Sequence, residues 1–249
     1  MAVYDIRSIS QVGTSEPFEL QLARGQIPGH TALFKYGYNP NIVNVNETIW
    51  DVGGIYSYPP SALAMTVTSA SGATDSGVKV TVSGLDGDFN ELTEEVTLNA
   101  SGTATTTGLF RRVFRAFISG ASAPAGNVNI TNSGITYARV TAGENQTLMA
   151  VYTVPAGKSL YIHNGTATHG TDTSGAFMTI RFMIRAPGGV FRTAVKVDVT
   201  GSELLFPFNY PLRLPEKYDI EVRAICNKNQ INAVSATFEG AIVNEQGPL

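Results

Sequence analysis

The chain has 249 residues, of which 43% are hydrophobic and only 15% are charged, with a formal net charge of −3. It can bury the core of one large domain or of two smaller ones, and its slight negative charge gives no electrostatic basis for binding nucleic acid. No apolar run approaches the roughly 20 residues that span a bilayer, no signal peptide is visible, and the single Cys226 excludes an intrachain disulfide.

Residues 1–61 are predicted to form an extended N-terminal arm. Phe18, Leu20 and Leu22 alternate with polar residues, which favours one short strand there. The remainder is rich in aromatic residues and is interrupted by Gly and Pro, and it shows no long period of helix or strand. It contains Trp50, the only tryptophan of the chain. Its rings require a surface, which is either the folded body or another subunit.

Residues 62–142 are predicted to form a first β-sandwich domain. Short runs of alternating apolar residues are separated by turn-forming residues, as in Gly84–Asn90. The predicted strands are 63–69, 78–83, 91–98, 109–118, 127–131 and 135–141.

Residues 143–249 are predicted to form a second, jelly-roll-like sandwich domain. The clearest strand is 217–225, in which Tyr218, Ile220 and Val222 alternate with charged residues. The other predicted strands are 148–154, 159–168, 176–185, 191–199, 204–208 and 233–243. The fold class is therefore all-β, with an extended N-terminal arm followed by two antiparallel β-sandwich or jelly-roll-like domains.

Catalytic motifs are absent from the sequence, so we expect a protein that is not an enzyme and that holds no cofactor or metal. There is no Gly-x-Ser-x-Gly elbow and no His-x-x-x-His pair. Glu94 and Glu95 are adjacent in a strand and point to opposite faces. The loop from Asp86 begins like a calcium loop, but Glu91 and Thr97 replace the required Gly and Glu, which favours a plain turn. His163 and His169 are interpreted as two solvent-facing loop residues, and the alternative is that they form a pair that binds a metal ion.

Seven residues are predicted to form an interface. Aromatic anchors dominate interface energies, so burial against another subunit is favoured over a sugar-stacking platform for the rings of the arm. The arginines alternate with phenylalanines within one predicted strand, which favours pairing with acidic groups of this chain or a neighbour over nucleic-acid binding. The interface residues are Tyr36, Tyr38, Trp50, Tyr56, Tyr58, Arg111 and Arg115.

Several strings of the sequence resemble a group of virion structural proteins from tailed phages of aquatic bacteria, over most of residues 20–225. The strings lie in Arg24–His30, Lys35–Pro40, Thr48–Tyr56, Gly84–Asp88, Thr106–Arg115 and Asn145–Lys158. The resemblance implies a component of a phage particle, and it implies no catalytic residue.

Two roles in a particle are compatible with this resemblance. The first is a capsid decoration or cement protein that contacts the major capsid protein and itself as a homo-oligomer, with a trimer as the first expectation. The second is a tail- or neck-attached fibre or adaptor component, with glycan or receptor binding as a further alternative. The absence of repeats and heptads favours the compact decoration role. Either role places the protein in the virion, assembled in the host cytoplasm without a signal peptide, with neither nucleic acid nor membrane as a partner.

Overall fold

The computed structural model describes residues 16–170, 175–201, 203–229 and 232–245, so the beginning of the predicted arm, residues 1–15, lies outside the described residues. Within these ranges one short helix, α1 (Phe18–Ala23), and a single 3₁₀ turn (Gly72–Asp75) accompany the strands, and the predicted all-β class is confirmed. The strands are β1 (His30–Ile42), β2 (Glu47–Thr48), β3 (Leu63–Ser69), β4 (Lys79–Leu85), β5 (Glu91–Thr97), β6 (Thr103–Phe110), β7 (Arg112–Ile118), β8 (Val128–Asn132), β9 (Ile135–Val140), β10 (Val151–Thr153), β11 (Lys158–His169), β12 (Met178–Arg185), β13 (Arg192–Val199), β14 (Glu203–Leu214), β15 (Asp219–Cys226) and β16 (Asn232–Asn244).

Eight of these strands form a jelly roll. One sheet has the order β1-β16-β11-β14, and the other has the order β10-β15-β12-β13, with the short β2 paired to β15. Numbered along the chain from β1 through β10 to β16, the strands give the orders 1-8-3-6 and 2-7-4-5, which is the double Greek key of a jelly roll. We call the two sheets the β1 sheet and the β10 sheet.

The core of the jelly roll lies between these two sheets. Phe182 of the β10 sheet meets Phe238 of the β1 sheet edge to face, with ring centroids 5.6 Å apart, and both side chains are fully buried. Gly165 lies under the ring of Phe206, where an added Cβ would come within 2.0 Å of a ring carbon. The absence of a side chain at residue 165 therefore lets the β14 ring pack against the sheet.

A second sandwich is inserted in the chain between β2 and β10. Its sheets have the orders β6-β3-β8-β9 and β5-β4-β7. They enclose a separate core in which Phe110 and Tyr137 are the largest fully buried side chains. We call this unit the inserted sandwich, because the jelly roll takes its first strand from before it and its other main strands from after it.

The prediction of an irregular arm is corrected over residues 30–48, which supply β1 and β2 to the jelly roll. β1 pairs with β16 without interruption from His30 to Asn39. Sequence reasoning missed the strand because its inward positions include Lys35, Gly37 and Asn39 rather than a run of apolar residues. Gly37 is required there, since an added Cβ would lie 2.4 Å from the backbone of two neighbouring segments.

The strand predicted around Phe18 is a helix. The Pro17 carbonyl accepts the backbone N–H groups of Leu20 and Gln21, both at 3.1 Å, and so starts the helical turn. The helix ends in a Schellman motif at Gly25, whose φ of 66° suits glycine. The alternation involves only three apolar residues, which is too short a pattern to distinguish a strand from a helix.

The predicted strand 109–118 is interrupted at Arg111. β6 belongs to one sheet of the inserted sandwich and β7 belongs to the other, so the chain changes sheets at this residue.

Among the described residues, no helix is sufficiently long and apolar to cross a membrane.

Candidate functional site

A buried ionic cluster joins the two sandwiches, and we call it the joint. The carboxylate of Asp219, at the beginning of β15, accepts hydrogen bonds from Arg112 Nε at 2.7 Å and Nη2 at 3.1 Å. It also accepts from Arg185 Nε at 2.9 Å and Nη2 at 2.6 Å, and from Thr153 Oγ1 at 2.7 Å. Arg112 belongs to the inserted sandwich and Asp219 to the jelly roll, so one carboxylate that is 2% exposed links both units.

Aromatic rings surround the charges of the joint. The Tyr58 ring lies 5.1 Å from the guanidinium of Arg112 and 4.4 Å from that of Arg185, and its hydroxyl donates to Glu221 Oε2 at 3.2 Å. The Phe191 ring stacks on Arg185 at 4.4 Å and on Arg223 at 5.0 Å. Burial raises the pKa of Glu221, while Arg223 opposes that change. Each buried charge thus has a polar partner or a ring, and the arrangement fixes the orientation of one sandwich against the other.

Two of the predicted interface rings pack inside the chain, which corrects their assignment to a contact between subunits. Trp50 is 3% exposed, and its Nε1 donates to the carbonyls of Gly53 at 2.9 Å and Gly54 at 3.1 Å. Tyr56 meets the indole edge to face at 5.1 Å and donates its hydroxyl to the Val113 carbonyl at 2.7 Å. These rings anchor the segment between β2 and β3 on the inserted sandwich, so in this conformation they cannot contact another subunit.

The remaining predicted interface residues are divided between the joint and the surface. Tyr58 belongs to the joint, and Arg111 is half-buried beside it with its guanidinium 5.3 Å from the Phe89 ring. Arg115 is exposed and stacks on Phe117 at 4.8 Å. Tyr36 and Tyr38 project from β1 on the side away from the jelly-roll core, and Tyr36 is exposed.

The outward side of the β1 sheet, which we call the outer face, carries a row of cross-strand neighbours. Tyr36 pairs with Thr237, Thr237 with Thr166, and Thr166 with Leu205, so these residues cross all four strands. The two threonine hydroxyls are 2.5 Å apart, so one of them donates a hydrogen bond to the other. Leu205 is 61% exposed, at the opposite edge of the sheet from Tyr36. Four strands place these two edges about 14 Å apart.

A groove of about 610 Å³ opens between α1 and the outer face, and we call it the α1 groove. Phe18 and Glu19 contribute from the helix, Phe34 from β1, and Asn164 and Glu239 from the neighbouring strands. The Asn164 amide donates to Glu239 Oε1 at 3.4 Å. The groove therefore combines apolar walls with carboxylates, and it lies beside the Tyr36 row.

Lys35 is a buried cation at the boundary between the sandwiches. Its side chain points inward from β1, the residue is 8% exposed, and Nζ donates to the Phe114 carbonyl at 2.6 Å. Burial lowers the pKa of Lys35 to about 7, and the positive charge of Arg115 adds to the effect. No carboxylate is paired with Lys35 among the ion pairs of the described residues.

The sequence offered two candidate metal sites, the pair of His163 and His169 and the loop that begins at Asp86. His163 lines the α1 groove, whereas His169 is buried at the end of β11 with Nε2 3.1 Å from the Val199 carbonyl oxygen. The Asp86 carboxylate accepts from the backbone N–H groups of Asp88 and Asn90, both at 2.9 Å, and closes its own turn. Within the described part of the chain, no group of three or more His, Cys, Asp or Glu residues is arranged to hold a metal ion.

Sequence reasoning identified part of this arrangement. It expected arginines of the 111–115 stretch to pair with acidic groups, which holds for Arg112, but it did not find Asp219 or Arg185 as partners. The alternation of acidic and basic residues in β15 concealed a buried carboxylate, because such a pattern usually marks a solvated face. Phe34 and Leu205 were missed because no motif includes them.

Comparison with known proteins gives no family. No protein-family model and no curated protein matches the chain. Among solved structures, the T=1 particle of infectious bursal disease virus is 14% identical with a TM-score of 0.27, covering 92% of this chain and 75% of that one. The VP2 subviral particle of the same virus is 14% identical with a TM-score of 0.26, covering 92% and 78%. A two-domain protein of unknown function from Bacteroides fragilis is 11% identical with a TM-score of 0.21, covering 89% and 99%. Similarity at this level defines neither a family nor a function for this chain.

Proposed function

We propose that this chain is a non-enzymatic structural protein of a tailed-phage virion that decorates the capsid and stabilises the head. It contacts the major capsid protein and further copies of itself. The observation that carries the proposal is the jelly-roll strand order of residues 30–48 and 151–245, because this architecture recurs in capsid proteins. The resemblance of the sequence strings to phage virion proteins adds the particle type.

The joint suits a protein that transmits force from one sandwich to the other. A decoration protein stabilises a particle only if a force on one part of it reaches the other part without bending the chain. Asp219 is held by two arginines from different elements, and the surrounding rings exclude water from the charges. The two sandwiches therefore act as one body in this proposal.

The outer face supplies the docking surface in the proposal. Tyr36 and Leu205 expose apolar area at the two edges of the β1 sheet, and the hydroxyls of the two threonines between them are hydrogen-bonded to each other. The apolar area at these two edges costs little to desolvate when a partner covers it.

The first test is the number of copies in a purified particle, measured by quantitative mass spectrometry against the major capsid protein. A symmetric coat gives on the order of hundreds of copies, which supports decoration. About a dozen copies, as a symmetric tail or neck ring gives, would move the protein to that location. Absence from the particle would refute a virion role.

The second test is rebinding of purified variants to particles that lack the protein. Leu205→Ser and Tyr36→Ser should weaken rebinding at least about tenfold, since each removes a buried apolar contact of about 1.5 kcal/mol or more. The matched control is Val190→Ser, because Val190 is 78% exposed but lies in the β12–β13 turn, away from the outer face. Equal losses in all three variants, or in none, would exclude the outer face as the docking surface.

A further inference from the structure

β13 is an edge strand of the β10 sheet, and one of its two sides is open. It pairs with β12, and no other strand among the described residues pairs with it. Within the described part of the chain, residues 195–198 make no backbone–backbone hydrogen bond outside this pairing. β14, which ends the other sheet, carries Pro207 and Pro211, and a proline has no N–H to give to a further strand. β13 contains no proline, so its open side can accept a further strand.

The regular part of β13 begins after a β-bulge. The register with β12 shifts between Thr193 and Val195, so Ala194 is the extra residue of the bulge. A bulge twists an edge and hinders the addition of a strand at that point. The part of the edge that can accept a strand is therefore residues 195–199, which we call the β13 edge.

The two faces of the β13 edge differ in chemistry. Val195 and Val197 are half-buried and pack against the core of the jelly roll. Lys196 and Asp198 are exposed on the opposite face, and neither takes part in an ion pair among the described residues. Lys196 lies directly opposite Arg181 of β12, and like charges in this arrangement are unfavourable. An acidic residue on the open side of Lys196 would therefore be favourable.

We propose that the β13 edge binds the β13 edge of a second copy of this chain, in an antiparallel pair about a two-fold axis at Val197. An axis perpendicular to the sheet keeps the apolar faces of both copies on the same side, so the β10 sheet continues from one copy into the next. Each Lys196 then lies opposite the partner's Asp198, and each Val195 lies opposite the partner's Val199. The half-buried valines at the edge of one copy are covered by those of the other.

The charges select this register among the two-fold arrangements. An axis at Lys196 would place two lysines opposite each other, and an axis at Asp198 would place two carboxylates opposite each other. An axis at Val195 would carry the pairing across the bulge. The axis at Val197 pairs all five residues of the β13 edge and brings opposite charges together twice.

This contact deepens the proposed function, on which it rests for its place in a particle, because it specifies how two copies of the chain meet. The pairing itself is a property of the free chain. It can therefore be tested without a particle.

Sedimentation velocity of the purified full-length chain tests the proposal. At a chain concentration of about 100 μM the parent should be mainly dimeric, as expected for a small interface with a Kd below about 100 μM. Lys196→Glu and Asp198→Lys each place like charges opposite each other at both ends of the contact. Each should raise the Kd at least about tenfold. The double variant Lys196→Glu/Asp198→Lys should restore the dimer, because the charges are then exchanged.

Mixing the two single variants gives a more specific test. Lys196→Glu chains and Asp198→Lys chains should each be mainly monomeric when alone. In an equimolar mixture they should form a dimer of one chain of each kind, because every cross-strand pair then joins opposite charges again. An association elsewhere on the surface would not show this dependence on residues 196 and 198.

Controls separate the contact from effects of net charge and of folding. Arg192→Glu changes the net charge by the same amount as Lys196→Glu, but it lies beyond the bulge, so it should leave the dimer intact. Asp198→Lys also removes the acceptor of the hydrogen bond that Thr179 Oγ1 donates at 2.6 Å, so circular dichroism is used to verify that each variant is folded.

Four results would each overturn the proposal. They are a parent that is monomeric at about 100 μM, dimers that persist in both single variants, an equal loss in Arg192→Glu, and a mixture that stays monomeric. A failure of this kind would leave the virion role standing, and absence of the protein from the particle would leave the dimer standing.

Discussion

Replacement of Lys35 by Met is expected to stabilise the protein at neutral pH, and this gain should be lost as the pH rises towards 10. The lysine is buried between the two sandwiches without a carboxylate partner among the described ion pairs, so its ammonium group is costly there. Methionine fills a similar volume without a charge. The change therefore removes the cost of charging a buried amine.

The magnitude follows from the two pKa values. The pKa of Lys35 is about 7 in the folded chain, against 10.5 for a free lysine. Each pH unit between these values corresponds to about 1.4 kcal/mol, so the folded state is penalised by about 4–5 kcal/mol at and below pH 7. Loss of the hydrogen bond to the Phe114 carbonyl costs about 1–3 kcal/mol at every pH. A net gain of about 2 kcal/mol is expected at pH 7.

The sign of the pH dependence is fixed by the direction of the pKa change. A lysine whose folded-state pKa is lowered gives no penalty above pH 10.5, and the penalty grows as the pH falls to about 7. The stability of Lys35→Met relative to the parent should therefore fall by about 3 kcal/mol between pH 7 and pH 10, from a gain of about 2 kcal/mol to a loss of about 1 kcal/mol. Urea unfolding of both proteins at several pH values measures it.

The control is Lys196→Met, which changes an exposed lysine on β13 and should alter the free energy of unfolding by less than about 0.5 kcal/mol. If the difference between Lys35→Met and the parent stayed constant from pH 7 to pH 10, Lys35 would not be a strained buried amine.

Three further substitutions test the fold that positions the outer face. Asp219→Asn should destabilise the protein by about 3–5 kcal/mol in urea unfolding, because two arginines lose their carboxylate, while Glu203→Gln at an exposed position of β14 should have almost no effect. Trp50→Ala should cost about 3–5 kcal/mol of folding free energy, and particle binding per folded molecule should be unchanged; a selective loss of binding would return Trp50 to the interface. Gly37→Ala should cost about 3 kcal/mol of folding free energy or prevent folding. The control Gly201→Ala should be tolerated, because no atom lies within 4 Å of the added Cβ. A stable Gly37→Ala protein would contradict the close approach of β1 to its neighbours.

The sequence by itself determined the all-β class and most of the strands. Period-two alternation identified β3 with its observed bounds and β15 to within two residues, because each of these strands has one buried and one more polar side. Turn-forming residues such as Pro155–Gly157 separated the strands correctly, since their conformations interrupt a strand whatever surrounds them.

Only the tertiary structure decided which strands belong together. β1 and β16 are almost 200 residues apart in the sequence, and their pairing depends on the hydrogen bonds and packing of the closed sheet, which no local pattern encodes. The same holds for Asp219 and Arg112, which form an ion pair although they are 107 residues apart in the sequence. The aromatic composition of the segment before residue 62 indicated that its rings pack against a surface, but it did not indicate which surface. In the folded chain Trp50 and Tyr56 pack on the inserted sandwich, whereas Tyr36 is exposed at the edge of the jelly roll.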